Sequence, residues 1–346
     1  MDSIILGDCQ HGSHGQMTRA AARTRRSRMR RKQTGKRIEL SPRDLDIFQA
    51  LNRYRYLCSN FLFALVGGAS ETRFKERLTD LYHEAGYIDR PEQQWQFARC
   101  RSLPVIYELT DAGAGVLREQ RGIAQDSPLF GQDHGGGSRQ FAHAVMIADI
   151  MSSVEFGVRQ DPSLRLISWR EILAKAPEQT HRMQRPFEIP VSISYSFPRT
   201  GKIEQAATTI LPDALFGLEY RGASAPTYRF FALEADRGTM PVFRGNLTQS
   251  SYLKKVLAYR EIGAQKLYQS HLGLPNLLVL TVTTSSRHQN TIMEVVQELE
   301  GGSKIFLFKT LSSLGGIQLA LSSAPQMLTE PWLRVGFGKF TIGNHQ

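Results

Sequence analysis

The chain has 346 residues, 41% hydrophobic and 22% charged, which is enough for two ordinary globular domains. Its net charge of +11 favours a polyanionic partner, and ten Lys/Arg between Arg19 and Arg37 give the first 40 residues a net +7. Three scattered cysteines (Cys9, Cys58, Cys100) without a CxxC pair argue against a disulfide framework or a cysteine zinc site, and no apolar run approaches the ~20 residues of a membrane span.

Residues 1–38 carry no hydrophobic periodicity and include RAAARTRRSRMRRKQTGKR. They read as a disordered basic arm, able to lie on DNA phosphates through Arg25, Arg26, Arg30 and Arg31. A leader peptide is not expected, because Asp8 directly precedes Cys9 and no basic stretch opens the chain. The expected location is cytoplasmic.

At Ser41 the pattern changes. Ser41-Pro42-Arg43-Asp44 has the form of a helix start: a hydroxyl cap, proline in the first turn and an acid three residues on. Leu45, Phe48 and Leu51 then recur on one face. A short apolar helix follows, ending at Gly67-Gly68, and Ser70 caps a third over 71–85 whose buried stripe is Phe74, Leu78, Leu81 and Tyr82. A strand at 87–90, a polar loop over 91–103, a strand at 105–109 and a helix capped by Thr110 complete the order expected of a winged helix-turn-helix over 39–121. In that arrangement the third helix enters the major groove of double-stranded DNA. Arg73, Lys75, Arg77, Arg99 and Arg101 are then the candidate contacts.

Residues 122–138, rich in Gly, Asp and Ser, read as a linker. Beyond them a helix over 139–158 precedes strands at 164–169, 187–195, 203–218 and 228–236. A long helix over 248–271, a strand at 276–283, a helix at 289–300 and a strand at 304–309 follow, with a further strand at 333–337. Residues 139–346 are therefore expected to form an α/β domain with a central mixed sheet. His143, near the start of the first of these helices, reads as a polar residue at a helix–sheet junction.

The chemistry concentrates in YRFFALEADRGT (228–239). Alternation along a strand sends Phe231, Leu233 and Ala235 one way and Glu234 and Asp236 the other. The two acids stand about 7 Å apart. Asp213, closing the run Ala206–Leu211, joins them if the strands pair. Buried acids need a counter-ion: either a divalent cation on Asp213, Glu234 and Asp236, or bases such as Lys255, Arg237 and Arg244. Tyr252, Lys255 and Tyr259 share one helix face that could meet the acids.

Pro-Asp at 212–213 and Glu-x-Asp at 234–236, before a long helix, resemble the PD-(D/E)XK nuclease fold. The resemblance implies that Asp213 and Glu234 hold Mg2+, and it places Asp236 where that fold carries its lysine. Over residues 40–310 the chain also resembles the plasmid replication-relaxation family. The matching stretches are LSPRDLDIFQAL, YELTDAGAGVL, ILPDALF, FALEADRGT and SSYLKKVLAY. That resemblance implies a DNA-associated protein of plasmids or mobile elements, working with replication or conjugation proteins.

Two roles stay open on these residues. One is a non-catalytic DNA-binding factor. The other is a Mg2+-dependent nickase or endonuclease using Asp213, Glu234, Asp236 and Lys255, with no cofactor needed in the first case. No GxxxxGK[ST] phosphate loop, Gly-x-Ser-x-Gly elbow or clustered histidine triplet is present. The oligomeric state is not decided by the residues, a dimer being among the options.

Overall fold

The computed structural model describes residues 26–96, 103–123, 138–198, 200–222, 225–311 and 326–344. Arg25, Arg99, Arg101 and most of the expected linker lie outside the described residues.

The N-terminal unit runs α1 (Pro42–Tyr54), β1 (Leu57–Cys58), α2 (Ser59–Val66), α3 (Glu71–Asp80), β2 (Ile88–Asp89), β3 (Ile106–Leu109) and α4 (Asp111–Arg121). The expected local signals act at each start. The Asp44 carboxylate accepts the Ser41 N–H and O–H at 2.7 and 2.8 Å, and the Ser70 and Thr110 hydroxyls accept from Arg73 N and Gly113 N. The three strands pair antiparallel in the order β1-β3-β2. A π-helical turn, Leu81–Ala85, continues α3, and a short 3-10 turn, Glu92–Gln96, begins the β2–β3 connection.

The arm differs from its expectation over 26–38. This segment docks on α3 and β2 because acids there match its bases. Arg26 meets Asp80 at 3.1 Å and Glu84 at 3.2 Å, Lys36 pairs with Asp80, and Arg31 meets Asp89 at 3.3 Å while lying over the Tyr82 ring. The Arg90 guanidinium in turn donates to the Arg28 carbonyl at 3.1 Å.

The second part begins with α5 (Ser138–Gln160), β4 (Leu164–Ile167), α6 (Trp169–Ala174) and α7 (Glu178–His181). It continues with β5 (Ile189–Ser196), β6 (Ile203–Ile210), β7 (Ala214–Tyr220), β8 (Thr227–Asp236), α8 (Tyr252–Ala264) and α9 (Leu267–Leu272). β9 (Leu278–Thr283), α10 (Ser286–Glu300), β10 (Phe306–Thr310) and α11 (Gln326–Thr329) complete it. Its main sheet has the order β10-β9-β8-β7-β4. β10, β9 and β8 run parallel, and β7 and β4 are antiparallel to their neighbours. The protein is therefore mixed α/β around a mixed five-stranded sheet.

Three expected elements are corrected. The single strand foreseen over 203–218 is two strands in different sheets. β6 pairs with β5 in a separate hairpin, and Pro212, which cannot donate to a ladder, and Asp213 lie at the break before β7. The long helix over 248–271 divides into α8 and α9 where Lys266 takes a left-handed φ of 51°. Residues 333–337 form no strand; Leu333 makes only an isolated bridge to Phe308.

The strand alternation sorts the core. Phe231, Leu233 and Ala235 of β8 pack in a cluster with α5 and the N-terminal helices. Phe230 and Ala232 pack on the opposite face with α8, α10 and the β5–β6 hairpin. α5 is long and apolar enough to cross a membrane by length and composition, but its apolar stretch is mostly buried between the N-terminal unit and the sheet. The buried Glu155 fastens α5 to α1, accepting from Arg53 at 2.6 Å and from Tyr54, with Arg159 as a further partner.

Candidate functional site

Register brings the three acids together. Asp213 stands just before β7, where its N–H donates to the Leu233 carbonyl at 2.9 Å, and Ala214 then pairs with Leu233. Asp213 thus sits at the same end of the sheet as the C-terminal end of β8. It belongs to the strand that follows it, not to the run 206–211 that precedes it. Glu234 and Asp236 point from that end toward α8 and α10, as alternation requires.

All six carboxylate oxygens of the three acids have a hydrogen-bond partner. Asp213 Oδ1 lies 3.1 Å from His143 Nε2 on α5, and Oδ2 accepts from Ala235 N at 2.8 Å. Glu234 Oε1 accepts from Tyr259 OH at 2.5 Å, and Oε2 pairs with Lys255 Nζ. Asp236 Oδ1 accepts from Gly238 N at 2.8 Å, and Oδ2 lies 2.7 Å from His288 Nε2 at the start of α10. Behind them Tyr252 OH meets Thr281 Oγ1 of β9 at 2.5 Å. The helix face Tyr252–Lys255–Tyr259 therefore does meet the sheet end.

A cavity of about 190 Å3 opens here, lined by His143, the three acids, Arg237 and Lys255 among others. Arg237 turns with the chain at Gly238 and donates to the Arg139 carbonyl at 3.3 Å, whereas Arg244 is exposed and does not line this cavity.

The electrostatics follow from burial against pairing. Burial pushes the Glu234 carboxyl above its usual range despite Lys255. Burial also raises Asp213, but the His143 hydrogen bond and the Lys255 charge outweigh it and leave that carboxyl below the usual value. For Lys255, burial works to discharge the ammonium, and Glu234 and then Asp213 overcome it, holding the group more firmly protonated than an ordinary lysine. His143 is raised in the same way, its burial outweighed by Asp213.

The donor set does not suit a divalent ion as arranged. Every carboxylate oxygen is engaged, an ammonium sits on Glu234, and among the described residues no three His, Cys, Asp or Glu side chains converge on one ion position. Hard cations need several free oxygens around one point.

The expected DNA contacts separate. Arg73 and Lys75 are exposed on α3, Lys75 reaching Glu71 at 2.7 Å. Arg77 instead makes a bidentate pair with the buried Asp44, at 2.9 Å from Nε and 2.6 Å from Nη2, and donates to the Glu39 carbonyl at 2.5 Å. Arg26 and Arg31 serve the docked arm, and Arg30 is exposed. His143 stands at the helix–sheet junction expected of it and there meets Asp213, whereas His288 is a site residue the sequence reading did not consider. Only the Ser285 cap following β9 marks His288 locally, and neither acid partner is near in sequence.

A family model described as replication-relaxation matches residues 48–278. No curated protein matches the chain, and no solved structure matches it.

Proposed function

The chain belongs to the replication-relaxation family, which ties it to plasmid replication and relaxation, and from that premise we propose that it is a non-catalytic DNA-binding factor. It engages duplex DNA through the N-terminal unit, read as a winged helix, and positions replication or conjugation proteins in the cytoplasm. The supporting observation is the element order α1-β1-α2-α3-β2-β3 with strand order β1-β3-β2, which leaves the Arg73 and Lys75 side of α3 exposed. Arg30, beside the arm residues that dock on α3, adds positive charge to the same unit. The second part, read as a PD-(D/E)XK-like domain, serves as scaffold.

The Mg2+-dependent nickase is the weaker alternative, because the carboxylates it needs are already engaged. One experiment addresses both. Binding of cognate plasmid DNA is measured across a salt series for wild type and Arg73→Glu/Lys75→Glu, and supercoiled plasmid is incubated with and without Mg2+. The double variant should bind more weakly with a shallower salt slope, because fewer phosphates are neutralised. Unchanged affinity removes α3 as the reader. Metal-dependent nicking that Asp213→Ala abolishes replaces the binding role with the enzyme.

A further inference from the structure

We propose that β6 is a dimerisation edge: two copies of this chain pair their β6 strands antiparallel about a twofold axis at Ala207, joining two hairpins into one four-stranded sheet. This inference concerns the second part of the chain alone and does not rest on the DNA-binding role.

The hairpin leaves one edge open. β5 and β6 pair in unbroken register from Ile189↔Ile210 to Ser196↔Ile203. At the turn the Phe197 N–H donates to the Lys202 carbonyl at 2.9 Å, and antiparallel bonding then alternates residue by residue. The even-numbered residues of β6 therefore bond to β5, and Ile203, Gln205, Ala207 and Thr209 direct their N–H and C=O groups outward. Among the described residues no other strand pairs with this edge. A row of unpaired donors and acceptors is a template for a further strand. The β5 edge is different, because Pro190 stands among its outward residues and has no N–H to give.

The devices that usually blunt an edge are missing from β6. Residues 203–210 contain no proline and no lysine. Their one charge, Glu204, is engaged by Lys202 Nζ at 2.6 Å and by the Leu247 N–H at 2.9 Å. The strand also reaches past its cover. Ile189, Val191 and Ile193 of β5 are buried in the cluster with α8, whereas Glu204, Ala206 and Thr208 on the same face of β6 are half-buried, and Ile203 is 68% exposed.

The pattern of β6 selects a second copy as the occupant. About Ala207, Gln205 comes opposite Thr209 of the other copy on the outer face, and on the inner face Ala206 comes opposite Thr208 and Glu204 opposite Ile210. Outer side chains thus meet outer ones and inner meet inner, and no like charges oppose each other. The residue on the axis is small enough for two backbones to approach. With one open edge per chain, pairing closes at two copies as an isologous contact and does not grow into a filament.

The test is sedimentation velocity of the full chain over a concentration series in high salt, which removes bridging nucleic acid. Wild type should form a dimer; a chain that stays monomeric to about 100 µM overturns the proposal. Ala207→Pro removes an N–H that the hairpin does not use, so it should fold and weaken the dimer roughly tenfold or more. Gln205→Lys/Thr209→Lys opposes lysines across the axis and should also give monomer. If Ala207→Pro does not fold, the lysine variant decides. Mixing it with Gln205→Glu/Thr209→Glu should restore a heterodimer, a rescue that only edge pairing in this register explains. Ser192→Lys, on the same outer face but on β5, should dimerise like wild type. A dimer untouched by the β6 variants, one lost equally in Ser192→Lys, a mixture that stays monomeric, or assembly beyond two copies overturns it.

Discussion

Arg77→Ala separates a structural brace from a DNA contact on α3. In the folded protein the Arg77 guanidinium grips Asp44 with two hydrogen bonds, at 2.9 and 2.6 Å. Asp44 is 1% exposed. Removing one partner of a fully buried pair costs about 3–5 kcal/mol, because a desolvated charge is left behind. Two features reduce that figure. Asp44 keeps its two bonds from Ser41, and the Arg77 side chain is itself 27% exposed. A loss of about 2–3 kcal/mol is therefore expected.

The pH dependence adds a signature. Burial raises the Asp44 carboxyl, but the Arg77 and Ser41 bonds outweigh it and hold the group below 3.8. A carboxyl depressed in the folded state contributes stability above its unfolded value, and that contribution fades as pH falls through the folded value. The gap between wild type and Arg77→Ala should thus be full at pH 7 and shrink in acid below about pH 4. Urea denaturation of Arg77→Ala, Asp44→Asn and the double variant measures it, with a coupling energy of about 1.5 kcal/mol or more expected. If Arg77→Ala stays within about 0.5 kcal/mol of wild type yet loses DNA affinity, Arg77 reads DNA and the brace is wrong.

Other expectations follow from the same contacts. Asp80→Ala removes the shared partner of Arg26 and Lys36, so trypsin should cut within residues 26–37 faster than in wild type; an unchanged rate would mean that the arm is not held there. His143 should titrate above 6.5 by NMR and drop in Asp213→Asn, since the Asp213 bond raises it against burial. Stability from that raised histidine is fully present below about pH 6.5 and lost as pH rises through its folded value, whereas the depressed Asp213 contributes above about pH 4. A His143 titration unaffected by Asp213→Asn would break the link. Gly113→Ala should cost about 1–3 kcal/mol, because a Cβ there would stand 2.2 Å from the Tyr87 carbonyl oxygen. Gly115→Ala, with open space around it, should be neutral or stabilising by up to about 1 kcal/mol. Equal thermal shifts for the two glycines would refute the packing argument.

Local chemistry was legible without any structure. Ser41, Pro42 and Asp44 start α1 through bonds spanning three residues, and Ser70 and Thr110 do the same for their helices. The two faces of β8 follow from alternation alone, so the common direction of Glu234 and Asp236 was determined by their spacing. The 3.6-residue period likewise put Tyr252, Lys255 and Tyr259 on one face of α8. These rules work because each depends only on backbone geometry over a few residues.

Tertiary structure decided what those side chains meet. Pro212 marks a break within 203–218, but not that β6 leaves the main sheet for a hairpin with β5 while β7 joins β8, because strand pairing is a long-range choice. Arg77 looks like any outward base of α3 until Asp44, 33 residues earlier, is folded against it. The basic segment 26–38 looks unstructured until Asp80, Glu84 and Asp89 are arranged beside it. The residues at the sheet end are the clearest case. His143 and His288 come from helices on opposite sides of the chain's acids, 70 and 52 residues from their partners. Their arrival, with that of Lys255, leaves every carboxylate oxygen engaged. A list of acids in sequence carries their charge but not their neighbours, and buried charge is governed by its neighbours.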